Sequence, residues 1–178
     1  MLSLRARYHV CMRRYYYALG RKVALTPDAR RVAVNASKAA TQGLDNVVQL
    51  AHRSTTKLPG GLALVSRADL RSEDVARMTQ SGVVQSVYRH GPSTTIPMPE
   101  VRVELDPGQR KAALEAARSS RVEAEITENS DERLVLRPIS GSGDDALDLA
   151  NFIFEKARPA SSSVRMVQVV ARPDVRRR

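Results

Sequence analysis

The sequence predicts an α+β fold in which a small sandwich of strands and helices follows a basic, helical N-terminal extension. Two segments, VRVELD at 101–106 and VEAEIT at 122–127, alternate apolar and polar side chains, as half-buried strands do. RLVLRPI at 133–139 is predicted to be a further strand. Two further segments, 106–120 and 140–158, begin with capping or acidic residues and place apolar side chains at helical spacing, which is typical of amphipathic helices.

A last segment rich in β-branched residues, VRMVQVVA at 164–171, predicts a final strand. The order over 101–171 is then β-α-β-β-α-β. This is the element order of the ferredoxin-like sandwich, a four-stranded antiparallel sheet with two helices on one face. The sequence therefore predicts a C-terminal ferredoxin-like core within a larger α+β body.

The segment before residue 61 is expected to be basic and helical. In LTPDARR, Thr26 suits an N-cap and Pro27 the first helical position, so one or two helices are expected from there to His52. RSTTKLPGG at 53–61 is a linker by composition. The expected organisation is a presequence or basic arm at 1–25, a basic helical extension with its linker at 26–60, the α+β body at 61–171 with its core at 101–171, and a basic tail at 172–178.

The positive charge of the chain lies mainly at its two ends. The net charge is +10, and 24 of the 29 basic residues are arginine. Residues 1–60 carry 11 Lys and Arg against 2 Asp and Glu, and residues 164–178 carry 5 against 1, whereas residues 61–163 carry 13 against 16. Guanidinium groups keep their charge and bind phosphate oxygens through a planar fork of donors. This distribution favours a polyanionic partner such as RNA.

The first 22 residues contain six basic residues and no acidic ones, and several functions fit them. An Arg-rich, acid-free segment that includes RRYYYA (13–18) is typical of a mitochondrial presequence with its processing site. Interleaved Arg and Tyr also suit a retained arm that binds RNA phosphates and stacks on bases. A membrane-lying helix is a third interpretation, and a disordered basic tail is the simplest one. A secretory signal is not expected, because Arg13 and Arg14 interrupt any apolar region.

The sequence contains no recognisable catalytic or metal-binding motif. His9, His52 and His90 are scattered and Cys11 is the only cysteine, so the paired histidines and cysteines of zinc sites do not occur. GSGDD at 141–145 lacks phosphate-loop spacing and is expected to be a capped turn. We predict a protein that is not an enzyme and has no cofactor and no small-molecule substrate. No apolar run is long enough to predict a transmembrane segment.

The plan of a small α/β body with basic extensions resembles organellar ribosomal proteins, in particular Arg-rich and Ala-rich mitochondrial ones. The segments RVEAEI, RLVLRPI and SSVRMVQVVARP also resemble a ferredoxin-like protein of the small ribosomal subunit. The resemblance implies a structural subunit of the mitochondrial ribosome, located in the matrix, that binds ribosomal RNA and neighbouring proteins. The alternative is an accessory subunit of a mitochondrial respiratory or ATP-synthase complex with no RNA role.

The RNA contacts are expected at the basic ends of the chain. The predicted central strands VRVELD and RLVLRPI carry no aromatic side chain on which a base could stack. Phosphate contacts through arginine and lysine are therefore favoured over base contacts on the sheet. The predicted RNA-binding residues are Arg5, Arg7, Arg13, Arg14, Arg21, Lys22, Arg30, Arg31, Arg172, Arg176, Arg177 and Arg178.

Overall fold

A computed structural model of the chain describes residues 14–91 and 93–170. In this part of the chain, strands account for 43% of the residues and helices for 35%. Every strand pair is antiparallel. The elements are β1 (Arg14–Ala18), β2 (Arg21–Asn35), α1 (Ala36–Thr41), α2 (Asp45–Arg53), β3 (Lys57–Leu58), β4 (Leu62–Ser66), α3 (Ser72–Gln80), β5 (Val84–His90), β6 (Ser93–Glu104), α4 (Arg110–Ser119), β7 (Ala124–Asn129), β8 (Arg133–Pro138), α5 (Gly143–Ala157) and β9 (Ser161–Val170).

The strands form a single curled nine-stranded sheet with the order β3-β4-β2-β5-β6-β8-β7. Strand β1 pairs with the first part of β2, and β9 pairs with β6 along both of its halves. Two strands share the other edge of β6, because β5 pairs with Ser93–Thr95 and β8 pairs with Val101–Glu104. The long strand β6 therefore joins the two halves of the sheet.

The five helices cover one face of the sheet. On β2, Val32 and Val34 pack with α1, α2 and α3, and on β6, Val101 and Val103 pack with α4 and α5. Side chains alternate between faces along a strand, so the residues between these positions point to the opposite face. That face carries a third buried cluster made only of strand residues, namely Ala33, Leu62, Leu64, Val87 and Ile96. We call this side of the sheet the helix-free face.

The gap between β5 and β8 at the edge of β6 is filled by the side chain of Gln85. Its Nε2 donates to the carbonyl oxygens of Gly82 (3.1 Å) and Gly141 (2.9 Å), and its Oε1 accepts from the N–H of Gly143 (2.7 Å). A Cβ atom at Gly143 would collide with the carbonyl oxygen of Pro97. The loop before α5 can therefore approach β6 closely only because glycine stands at this position.

The predicted fold class is wrong in two respects. The strands and helices expected between 101 and 171 are present as β6 to β9, α4 and α5, but they do not form a self-contained ferredoxin-like sandwich, because β6 also pairs with β5. The segment 93–100 belongs to β6 although it contains Pro97 and Pro99. Its prolines are tolerated because the register shifts between Pro97 and Val101, and a bulge does not need the missing N–H groups.

The N-terminal extension is not helical up to Asn35. The segment that begins at Thr26 continues β2, and the helices start only at Ala36. Pro27 lies at the edge of a second register shift, between Pro27 and Val32, rather than in a first helical turn. The strand wins because Val32 and Val34 are buried between β4 and β5, and this tertiary packing outweighs the local helix-start signal.

Candidate nucleic-acid interface

Five of the twelve predicted RNA contacts lie in the described part of the chain, all of them on the first two strands. Arg14 opens β1, Arg21 and Lys22 open β2, and Arg30 and Arg31 lie in the bulged middle of β2. The other predicted contacts lie outside the described residues, namely Arg5, Arg7, Arg13, Arg172, Arg176, Arg177 and Arg178.

Arg14 and Lys22 are engaged by carboxylates of helix α5. The Arg14 guanidinium forms an ion pair with Asp148. The Lys22 ammonium lies 3.3 Å from a carboxylate oxygen of Glu155 and 4.4 Å from the centre of the Tyr15 ring. Both cations are therefore already partly neutralised within the protein, and their first role is to attach the β1–β2 hairpin to α5.

The tyrosines of RYYYA belong to the same attachment. The hydroxyl groups of Tyr15 and Tyr17 donate to one Glu155 oxygen at 2.9 and 2.8 Å. The Tyr17 ring packs on Phe154 with ring centres 4.3 Å apart, and the Asn151 side chain donates to the backbone carbonyl of Tyr15 at 2.8 Å. The Tyr17 hydroxyl is the main reason that the pKa of Glu155 lies below its usual value. These contacts occupy the groups that a base-stacking arm would present.

Arg30 and Arg31, together with Arg89 of β5, line a cavity of about 750 Å³ that we call the arginine cleft. Arg31 is held in place, because its Nε and Nη2 atoms donate to Asp28 at 2.9 and 2.8 Å and Nη2 also donates to Thr94 at 3.1 Å. Arg30 and Arg89 are exposed and form no ion pair within residues 14–91 and 93–170. The cleft therefore presents two available guanidinium groups and a third that is already fixed.

Asp28 organises the cleft. Burial would raise the pKa of Asp28, but hydrogen bonds from the backbone N–H of Arg30 and from the Arg31 guanidinium outweigh it and lower the pKa below its usual value. The carboxylate is ionised at neutral pH, so the residue fixes Arg31 without cancelling the charge of Arg30 and Arg89.

The start of β1 and the end of β9 lie at the same level across the sheet as Arg89 of the arginine cleft. Arg14 pairs with Leu25, and the next residue of β2, Thr26, pairs with Arg89. Arg89 pairs with Thr94, and Thr94 pairs with Val169 near the end of β9. Adjacent strands are about 5 Å apart, so the start of β1 and the end of β9 lie within about 20 Å of each other across the sheet. The residues on either side of the described chain are therefore attached beside the cleft.

Arg89 is the member of the cleft that the sequence analysis missed. It lies near the end of β5, in the part of the chain between the two basic ends on which the charge argument rested. The alternation of side chains between the two faces of β5 is the signal that could have identified Arg89. Tyr88 faces the helices through Asp144, so Arg89 must face the other side.

The remaining polar clusters of the described residues have structural roles or lack catalytic partners. Ser86 and Tyr88 donate to the two oxygens of Asp144 at 2.6 and 2.7 Å, which ties the first turn of α5 to β5. Burial raises the pKa of Tyr88, so its hydroxyl keeps its proton and remains a donor. Residues 14–91 and 93–170 hold no group of three or more His, Cys, Asp or Glu side chains that could bind a metal ion.

Comparison of the chain with protein-family models, with curated proteins and with solved structures gives no match. Among the residues described, no helix combines the length and the apolar character needed to span a bilayer.

Proposed function

We propose that this protein is a structural, RNA-contacting subunit of a ribonucleoprotein. The observation that supports the proposal is the distribution of basic groups. The 21 residues outside 14–170 carry seven arginines against one acidic residue, and the described chain begins and ends near the arginine cleft. Residues 14–170, in contrast, carry 22 basic against 18 acidic residues. The particular assembly that we propose is the mitochondrial ribosome, on the sequence resemblance alone.

The physical basis of binding is the neutralisation of phosphate charge. Each arginine that contacts a phosphate releases a condensed counterion, so affinity falls as salt rises, with a slope of about −0.7 per contact for single-stranded RNA. A bidentate guanidinium also fixes the direction of approach. The sheet and helices then act as a rigid support that holds the arginines of the cleft in a fixed arrangement toward the RNA.

The test is the salt dependence of RNA binding by the full chain. A fluorescent single-stranded oligoribonucleotide is titrated at several salt concentrations with the wild type and with Arg30→Gln/Arg89→Gln. We expect the double variant to lose about 1.4 units of the slope of log affinity against log salt, because two phosphate contacts are removed.

The matched control is Arg118→Gln/Arg121→Gln, which removes two exposed arginines at and after the end of α4, remote from the cleft in the fold. Its slope should equal that of the wild type. An unchanged slope in the Arg30/Arg89 variant, or RNA affinity that does not respond to salt, would contradict the proposal.

The attachment of Arg14 and Lys22 to α5 supports a second candidate function, an accessory subunit of a mitochondrial protein complex with no RNA role. In that case the first basic residues of β1 and β2 serve folding only. The same titration distinguishes the two, because the alternative expects no saturable RNA binding by the wild-type chain.

A further inference from the structure

A second cationic site lies between α1 and strands β6 to β9, outside the arginine cleft. It is a cavity of about 510 Å³ whose lining includes Lys38, Arg137 and Arg165 together with Met98, Pro99 and Ile139. We call it the Lys38 pocket. Three cationic side chains thus stand around walls that are partly apolar, and apolar walls strengthen electrostatic interactions by excluding water.

The ammonium group of Lys38 is tightly packed against the backbone. It is enclosed by Gly82 and Gly141, and a Cβ atom at either glycine would collide with it. Within the described residues it forms no ion pair, and burial lowers its pKa. A partly desolvated cation without a counter-charge is unfavourable, so this position gains most from an anionic ligand.

Glu100 positions the arginines of this site. Its side chain is only 10% exposed, and its carboxylate oxygens lie 2.7 Å from Arg102, 3.4 Å from Arg137 and 3.9 Å from Arg165. One carboxylate cannot neutralise three guanidinium groups. Glu125 is the other acidic residue of the lining, so Lys38, Arg137 and Arg165 leave an excess of one positive charge in the pocket.

We infer that the Lys38 pocket binds a phosphate group, with Lys38, Arg137 and Arg165 as its ligands and Glu100 as the residue that positions the arginines. Lys38, Arg137 and Arg165 line one cavity, and ammonium and guanidinium groups form charge-assisted hydrogen bonds with phosphate oxygens. The source is either a backbone phosphate of RNA or a free phosphate compound. The site is separate from the arginine cleft, so the inference does not depend on the proposed function.

The test is a ¹H–¹⁵N NMR titration of the full chain with inorganic phosphate at constant ionic strength, with chloride as the balancing anion. We expect saturable shifts of the backbone amides of Lys38, Ile139 and Gly141. Lys38→Met should weaken phosphate binding by about tenfold, because one charge-assisted hydrogen bond is lost. The control Lys111→Met, which removes an exposed lysine of α4, should bind phosphate as the wild type does.

Arg165→Gln is the second variant, since its side chain is 55% exposed and its loss should not disturb folding. It should weaken phosphate binding as Lys38→Met does. The inference is overturned if the wild type gives no saturable shifts, or if both variants bind phosphate as tightly as the wild type.

A final arm identifies the source of the phosphate. An oligoribonucleotide is added to the phosphate-saturated protein while the same amides are observed. If RNA displaces phosphate from the pocket, the ligand is an RNA backbone phosphate, and if it binds without displacing phosphate, the ligand is a free phosphate compound. Either result supports the site. Because Arg30→Gln/Arg89→Gln leaves the pocket intact, its phosphate titration should match the wild type, which separates a failure of this inference from a failure of the RNA proposal.

Discussion

At the scale of single residues, the arginines of this protein differ according to the carboxylate that each one meets. Arg14 is bound by Asp148 and Arg31 by Asp28, whereas Arg30 and Arg89 meet no carboxylate in the described part of the chain. Net charge alone does not distinguish these cases. Only the arginines without an internal partner keep their full capacity to bind a phosphate.

Glu100 is a carboxylate whose loss should lower stability. Glu100→Gln removes the charge that pairs with three guanidinium groups, and we expect it to lower the free energy of unfolding at pH 7 by about 1–2 kcal/mol, because hydrogen bonds to charged groups contribute on that scale. The control is Glu104→Gln, whose exposed pair with Arg133 should contribute less than about 0.5 kcal/mol. Urea unfolding of the three proteins measures both values.

The difference in free energy of unfolding between the wild type and Glu100→Gln should also depend on pH, and the same urea experiment measures this dependence. Burial would raise the pKa of Glu100, but the hydrogen bond from Arg102 and the charges of Arg102 and Arg165 outweigh it, and the pKa is lowered. A lowered pKa means that the carboxylate stabilises the fold above the ordinary glutamate value, about 4.3, and that this contribution disappears as the pH falls through the folded-state pKa. Equal destabilisation at pH 3 and pH 7 would show that Glu100 does not act through its charge.

At the scale of elements, β1 is an integral part of the fold rather than an appendage. Its residues contact one side of α5 through Asp148, Asn151 and Glu155, positions spaced by three and four residues as one helix face requires. The two-residue turn at Leu19 and Gly20 has positive φ at both positions (49° and 73°), the conformation of the tight hairpin that matches strand twist. The segment RRYYYA, which is typical of a presequence processing site, thus contains most of a packed strand.

Truncation tests the contribution of β1. A chain that begins at Arg14 retains every described contact, whereas one that begins at Leu19 lacks β1 and exposes apolar surface that Tyr16 and Tyr17 cover on Phe154 and Met166. We expect the shorter chain to be less stable by at least about 2 kcal/mol, the scale of one buried aromatic side chain. Urea midpoints of the two truncated proteins give the comparison, and equal midpoints would mean that β1 is dispensable.

At the scale of the whole molecule, the two halves of the sheet are joined at one place, where β6 pairs with both β5 and β8. We call this place the seam. Strand β6 contributes to both halves, and Gln85 satisfies backbone groups of Gly82, Gly141 and Gly143 at the place where β5 and β8 separate. Because these groups are buried with Gln85 as their partner, the halves should unfold together. The arginine cleft lies in the half that contains β2, β4 and β5. The Lys38 pocket combines Lys38 of that half with Arg137 of the other half, so its geometry depends on the same seam.

Gln85→Ala tests the seam. We expect it to destabilise the protein by about 1–3 kcal/mol, since buried N–H and carbonyl groups lose their partner. The control Gln80→Ala changes an exposed residue of α3 and should have little effect. Hydrogen exchange of amides in β4 and in β8 should report the same free energy of opening in the wild type. Different values for the two strands would show that the halves unfold independently.

The sequence by itself predicted those parts of the protein that local chemistry determines. Alternation identified β7 and the last part of β6, and an apolar face at helical spacing identified α4 and α5. The distribution of charge also pointed to the two chain ends, which carry most of the net positive charge. These signals are readable because each depends on residues within a few positions of one another.

Tertiary structure alone decided the rest. Whether the segment from Thr26 becomes a helix or a strand depends on partners in β4 and β5, which are distant in sequence. The pairing of β2 with β5, which joins the N-terminal strands to the rest of the nine-stranded sheet, is likewise a long-range contact, since it pairs Val34 with Val84. The Lys38 pocket is the clearest case, because Lys38, Glu100, Arg137 and Arg165 come from four elements. Local preferences amount to fractions of a kcal/mol per residue, so burial against distant strands outweighs them and brings together side chains that no local pattern connects.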